Sequence, residues 1–273
     1  MSPIGFTILL KAPHSLEGMI IKHDDLDWSF MSNISTYFTD IEHYPNYIYY
    51  NDEVPNHNIG ANYAHAKGVL LWNNDSIKWI IHSMPNWPCN NNFEFPTLKF
   101  GQSFIILDLS ISNLDNIITH LHIMNVYIYN SYTLFDKLDN SYNTLDVIDL
   151  IINNLETTTK HIAKSAKWNK DIFDDYLANI FGGDIMCESW LRPVCKDTTH
   201  VDNIEIIQWP FKNIRYNETQ DHSKYAFSIN SSNPWVYIGD LNHTRSQSHR
   251  GGGGVLINNI NIWKAFRSLV YKN

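Results

Sequence analysis

Two tripeptides, more than half of the 273-residue chain apart, carry residues suited to acid–base and nucleophilic work. They are His65-Ala66-Lys67 and His222-Ser223-Lys224. Each is followed by an apolar run that opens on a tryptophan and closes on an asparagine, Trp79 to Asn86 and Trp235 to Asn242. Seven positions separate tryptophan from asparagine in both copies; fourteen and thirteen separate histidine from tryptophan. Such a set suits phosphodiester cleavage. One neutral imidazole can attack phosphorus while a second, protonated, hands its proton to the departing oxygen. Two lysines and two asparagines can hold the equatorial oxygens by charge and hydrogen bonds, so the chemistry calls for no metal and no other cofactor. A single His-x-Lys among 13 histidines carries no information, whereas a matched pair does. The plain alternative is a duplicated structural hairpin with solvated histidine and lysine.

Other residues near the copies add to the set. Arg250-Gly251-Gly252 opens a glycine run in which bare backbone N–H groups could approach a phosphate, with Arg250 adding charge. The alternative is a turn before the strand at Val255. His82, four residues before Asn86, and Asp240, two before Asn242, are set against each other in the two copies, and either could orient a catalytic histidine or fix its tautomer. His120 and His122 read as a partly solvated strand edge and not as metal ligands.

To bring the two tripeptides together the chain needs a scaffold. Short β-branched or aromatic segments bounded by Asn, Asp, Gly or Pro predict strands over Phe6–Leu10, Tyr47–Tyr50, Gly68–Trp72, Lys78–His82 and Ser103–Leu109, and again over Ile204–Gln208, Lys224–Ile229 and Trp235–Gly239. Alternation along a strand would point His and Lys of each motif to one face. Helical spacing is read over Leu145 to Ala163, over Asp171 to Phe181 up to Gly182-Gly183, and over Ile262 to Tyr271. The class is mixed α/β, with two related halves, 1–140 and 141–273, sharing one site.

Composition bounds the partners. The formal charge of −8 is a poor start for binding a polyanion, yet protonating all 13 histidines would carry it to +5. The chain is acidic at neutral pH and cationic in acid. Three cysteines, Cys89, Cys187 and Cys195, make no disulfide framework, although a Cys187–Cys195 bridge stays open. The apolar stretch Ile4–Leu10 reads as a first strand and not as a signal peptide, and no run approaches the ~20 apolar residues of a membrane span.

These motifs together resemble the deoxyribonuclease II family. The matching segments are Ala64 to Leu71, His82-Ser83-Met84-Pro85-Asn86-Trp87-Pro88, Gly101-Gln102-Ser103, Asp221-His222-Ser223-Lys224, Ile238-Gly239-Asp240-Leu241-Asn242, Arg250 to Gly253 and Trp263-Lys264-Ala265-Phe266. The resemblance implies a pseudo-dimeric, phospholipase D-like fold with one site between two halves. It implies metal-independent cleavage of double-stranded DNA at acid pH, leaving 3′-phosphate and 5′-hydroxyl ends through a phosphohistidine. His65, Lys67, His82, His222 and Lys224 match the family's site positions; His65 is taken as nucleophile and His222 as acid, with the reverse left open by the pseudo-symmetry. A homodimer clamping a duplex belongs to the same analogy, and the cell compartment is left open. The competing readings are a phosphodiesterase acting on lipid or RNA and a non-catalytic DNA-binding protein.

Overall fold

The computed structural model describes residues 4–38, 44–55, 59–60, 62–89, 93–132, 142–150, 152, 157–190 and 200–271. The first part of the chain forms β1 (Gly5–Lys11), β2 (Gly18–Lys22), β3 (Asp25–Met31), β4 (Asn46–Tyr50), β5 (Gly68–Trp72), β6 (Ser76–His82), β7 (Gln102–Ser110), the helix α1 (Leu114–Met124) and β8 (Ile128–Ser131). The eight strands make one sheet in the order β3-β2-β1-β7-β6-β5-β4-β8. The second part forms β9 (Leu145–Leu150), β10 (Thr158–Lys164), the short helix α2 (Ala178–Phe181), β11 (Ile185–Glu188), β12 (Val201–Asn203), a small hairpin β13 (Ile206–Gln208) and β14 (Arg215–Asn217), then β15 (Tyr225–Ser228), β16 (Trp235–Gly239), β17 (Gly252–Asn258) and α3 (Ile260–Arg267). Its seven-stranded sheet reads β12-β11-β15-β16-β17-β10-β9. Read from the other edge, this is the first sheet's order strand for strand, lacking a partner for β3.

Both sheets are apolar on both faces because each face has a cover. Along β7, Ile105, Leu107 and Leu109 point into the large core that also takes in Phe227, Val236, Ile238 and Val255 of the second sheet. Phe104 and Ile106 alternate with them into an outer layer with Trp87 and Phe38. The second sheet does the same, with Ala226, Tyr237 and Leu256 facing Phe173, Leu177 and Phe181. Helices cross between the halves: α1 packs on β9 and β10, and α3 on β3, β15 and β16. Trp28 of β3 donates its indole N–H to the carbonyl of Ala265 in α3 at 2.9 Å.

Most predicted strands are present, and the helix near 171–181 ends at Gly182 in the left-handed region (φ 75°) as a C-cap should. Two expectations fail. Leu145 to Ala163 is not a helix but the antiparallel pair β9–β10, with Ile148 opposite His161. Val147, Leu150, Ile151 and Leu155 fit a helical spacing, but Val147, Ile148, Thr158, Thr159 and Ile162 are β-branched and pack better on a pleated surface. Conversely, His120 and His122 lie on helix α1 and not on a strand edge. His120 is fully buried, its Nδ1 2.7 Å from Nδ1 of His161 on β10. Cys187 is a buried free thiol; Cys195 and most of the expected boundary near residue 140 lie outside the described residues. Among the described residues no helix is long and apolar enough to cross a membrane.

Candidate active site

The two His-x-Lys tripeptides are not inside strands. They are the extended lead-ins to β5 and β15. They leave the sheet because each histidine bonds to the other half of the chain. The His65 N–H donates to the Gly251 carbonyl at 2.9 Å, and the His222 N–H donates to the Gly101 carbonyl at 3.0 Å. Further pairs repeat the pattern: His82 N–H to Lys67 O and Gly239 N–H to Lys224 O, both 3.0 Å; Ser83 N–H to Ser103 O and Asp240 N–H to Gly253 O, also both 3.0 Å.

These bonds correct the register read from sequence. His82 corresponds to Gly239, and Asp240 corresponds to Ser83, so His82 and Asp240 do not hold equivalent places. The tryptophans are likewise one residue out of step. Leu70 stands opposite Trp79, whereas Phe227, which corresponds to Leu70, stands opposite Val236. A one-residue slip reverses the face of the sheet. Trp79 therefore points into the central core, while Trp235 packs against the outer layer.

Around His65 the site is built from charge. Its Nδ1 lies 2.7 Å from the Asp240 carbonyl oxygen, which can only accept, so the ring proton sits on Nδ1 and Nε2 keeps its lone pair. Nε2 stands 4.0 Å from Asp52 Oδ2. Asp52 binds Lys67 Nζ through Oδ1 and Arg250 Nη2 through Oδ2 at 3.1 Å, and Glu53 lies 3.2 Å from the same Lys67. Burial pushes the Asp52 carboxyl up, but the charges of Lys67, His65 and Arg250 outweigh it and hold it well below the carboxylate range. Burial also lowers Lys67, and Asp52 and Glu53 overcome this and raise it. His65 is driven down to about 3, chiefly by burial, against the pull of Asp52 and helped by Lys67, Lys224 and Arg250. Asp240 is pushed up to about 8, again mainly by burial. Its Oδ1 accepts the Lys67 N–H at 3.4 Å.

Around His222 the site is built from rings. Phe100 stacks on the imidazole at 4.2 Å and 15° between planes, and Trp190 meets it edge-on at 4.9 Å. Lys224 donates to the His222 carbonyl at 2.6 Å. Burial lowers His222 to about 3, with Lys224, Lys67 and Lys99 adding to the effect. Burial lowers Lys224 to about 8, with Lys67 adding and Asp52, Glu53 and Asp240 opposing. Each imidazole thus feels the lysine of the other copy, and the two tripeptides share one electrostatic site. The arrangement offers a lone pair on His65, an ammonium group from each half and a second imidazole between aromatic walls.

The remaining candidates sit further back. His82 is buried against Trp87 and Phe104, and its Nδ1 accepts the Met84 N–H at 3.2 Å. Asn86 is exposed at φ 58° and donates its backbone N–H to the Glu53 carbonyl at 2.7 Å. Asn242 Oδ1 accepts the Trp190 N–H at 3.2 Å, so it holds the aromatic wall of His222. Arg250 is committed to Asp52 and to the carbonyls of Tyr63 and Ala64. The glycines beside it answer a packing need. A Cβ on Gly251 would stand 1.9 Å from the Met124 carbonyl oxygen, and one on Gly252 2.7 Å from the Leu241 side chain.

Sequence reasoning misses Asp52, Phe100 and Trp190, because none belongs to either copy of the motif. It also misses a matched pair of buried lysines. Lys11 Nζ donates to the carbonyls of Ala12, Ser15 and Leu98, and Lys164 Nζ to those of Gln247, Ser248 and Arg250. They pin the loops that lead into β7 and β17 and so fix Gly101 and Gly251. Their one sequence signal is a lysine as the last residue of a strand, β1 or β10.

The chain is similar in sequence to known proteins over most of its length. The deoxyribonuclease II family model matches residues 29–273. Deoxyribonuclease-2-beta of Mus musculus is 31% identical over 246 residues, covering 82% of this chain and 69% of the relative. Deoxyribonuclease-2 of Caenorhabditis elegans is 29% identical over 251 residues, covering 84% and 65%. Plancitoxin-1 of Acanthaster planci is 28% identical over 248 residues, covering 81% and 68%. The chain spans about two thirds of the length of these relatives. On this match the chain belongs to the deoxyribonuclease II family of hydrolytic nucleases.

Proposed function

We propose that this protein is an endonuclease that hydrolyses double-stranded DNA in acid without a catalytic metal. The observation that carries the reading is the His65 ring, held by its Nδ1 so that Nε2 carries a free lone pair between the charges of two lysines. In the proposed reaction Nε2 attacks phosphorus, and the bond to the 5′-oxygen breaks as His222 gives that oxygen its proton. The phosphohistidine left on the 3′ side is then opened by water, whose proton returns to His222. The products are a 3′-phosphate and a 5′-hydroxyl, with atoms and protons balanced. Both imidazoles are neutral in the free protein near pH 5. A phosphodiester anion seated between Lys67 and Lys224 supplies the negative charge that lets His222 take up its proton, and it does so more readily in acid. Lys67 and Lys224 stabilise the equatorial oxygens, Arg250 adds charge while holding Asp52, and the Gly251-Gly252 backbone with Asn86 and Asn242 frames the cleft. His82 supports Lys67 from behind, and Asp240 orients His65.

The matched strand order of the two sheets supports a pseudo-dimeric, phospholipase D-like organisation with halves at 1–140 and 141–273. A homodimer would extend the DNA surface. Cleavage of supercoiled plasmid by the whole chain near pH 5 in EDTA tests the reading. Nicking that survives the chelator and falls at least ~10³-fold in His65→Ala and in His222→Ala is expected. Activity only at neutral pH with added magnesium, or unchanged activity in both variants, would overturn it. A panel with RNA and phosphatidylcholine separates it from a related phosphodiesterase.

A further inference from the structure

The turn after β16 carries a second cluster that takes no part in the chemistry above. His243 is fully buried and its backbone N–H donates to Ser189 Oγ at 3.0 Å. Its Nδ1 lies 3.0 Å from Asn203 Oδ1 at the end of β12. A side-chain carbonyl oxygen only accepts, so in the neutral ring the proton is on Nδ1 and the lone pair is on Nε2. Nε2 is buried without a hydrogen-bond partner, and it faces Asp174 Oδ2 at 3.6 Å. One ring nitrogen of His243 and one oxygen each of Asp171 and Asp174 lie within 4.8 Å of one another.

The two carboxylates are held in place through one oxygen each. Asp171 Oδ1 accepts the N–H groups of Phe173 and Asp174 at 2.8 and 3.1 Å, and Asp174 Oδ1 accepts the His200 N–H at 3.3 Å. The gap of 3.6 Å is long for an N–H···O bond. It suits two ligands of one ion, which stand roughly 3–3.5 Å apart when each is about 2.1 Å from the metal.

We propose that Asp171, Asp174 and His243 bind a divalent first-row transition ion of the zinc type. An imidazole nitrogen in the set argues against magnesium and calcium, which prefer an all-oxygen shell. Two carboxylates match a double positive charge, and Asn203 behind the imidazole is the kind of outer partner that fixes a metal-binding tautomer. The ion is structural. It ties the turn that opens the 171–181 helical segment to the loop after β16, where the neighbouring Asn242 holds Trp190 against His222.

The test is binding, read independently of cleavage. The whole chain, stripped with a chelator and returned to metal-free buffer at pH 7, is titrated with zinc chloride by calorimetry. It is also titrated with cobalt chloride while the visible absorption of the bound ion is followed. One equivalent is expected, with affinity at least ~10-fold lower in Asp171→Asn and in Asp174→Asn. These residues are only partly buried, so circular dichroism can confirm that both variants fold even if His243→Gln does not. No stoichiometric site, an equivalent retained in both variants, or tighter binding of calcium than of zinc when calcium chloride is titrated in the same way would overturn the proposal.

Discussion

His65 stands beside a carboxylate that also holds Lys67 and Arg250, whereas His222 lies flat on Phe100 with Trp190 at its edge. The two tripeptides are alike in sequence and are tied to the opposite half by the same backbone bond. What surrounds them differs because the positions flanking the copies differ. In the matched strands β4 and β11, Tyr50 precedes Asn51 and Asp52 as Glu188 precedes Ser189 and Trp190, so Asp52 and Trp190 fill corresponding places. One half puts an acid there and the other an indole. An acid next to an imidazole holds charge and geometry; rings hold geometry and leave the proton free to come and go. In the proposed reaction this one difference is what gives the two histidines different work.

The acidic side carries the largest expected effect. Asp52→Asn leaves buried Lys67 with only the more exposed Glu53 as counter-charge and takes from Arg250 its carboxylate partner, leaving it the carbonyls of Tyr63 and Ala64. Stability should fall by about 3 kcal/mol in urea unfolding at pH 7, and cleavage by ~10²-fold or more. A change below ~0.5 kcal/mol would mean that the charges around His65 are not a unit.

A second effect concerns Asp240, whose carboxyl is raised to about 8 in the folded protein against roughly 3.9 in an unfolded chain. The folded state keeps the proton over that interval, so the stabilisation is fully present in acid and is lost as pH rises from about 4 towards 8. Asp240→Asn removes this term. The wild type should lose stability relative to the variant between pH 5 and pH 8, by on the order of a few kcal/mol. A gap between the two that stays constant with pH would refute the assignment. The buried histidines with lowered values, His65, His82, His120, His161 and His222, act in the opposite sense and weaken the fold as pH falls below about 6.5. They are common to both proteins, so the difference isolates Asp240.

Smaller effects probe the frame and the aromatic side. Gly251→Ala drives a Cβ onto the backbone carbonyl of Met124, while Gly101→Ala meets the carboxylate of Asp221 at 2.6 Å. A carbonyl in the last turn of α1 can move less than a side chain, so Gly251→Ala should cost more, about 3 kcal/mol against about 2. Equal thermal shifts would contradict this ordering. Phe100→Ala should lower turnover ~10-fold with stability changed by about 1 kcal/mol, because the half-exposed ring aligns His222 and adds little to the core. Turnover equal to wild type would remove the aromatic wall from the account.

How much of this could be read from sequence depends on what decided each feature. Phe6–Leu10, Gly68–Trp72 and Trp235–Gly239 are short, apolar and clearly bounded, and they are strands in the structure. Leu145–Ala163 was misleading because a short apolar run fits both periods, and its place beside β17 is a tertiary fact. Pairing the tryptophans was misleading for a related reason. Equal spacing from Trp79 to Asn86 and from Trp235 to Asn242 suggests equivalence, but the histidine-to-tryptophan distances differ by one, and backbone bonding follows the histidines. His65, Lys67, His222 and Lys224 were legible because their types repeat. Asp52, Phe100 and Trp190 were not, because they reach the site from other strands and loops and differ between the halves.

The central claim is that the two histidines divide the labour. A thymidine 3′-(4-nitrophenyl phosphate) tests it, since nitrophenolate leaves without needing a proton. In rapid mixing, His222→Ala should release a burst of about one equivalent of nitrophenolate while failing to nick plasmid, and His65→Ala should release none. A burst from His65→Ala with none from His222→Ala would contradict the account and reverse the roles.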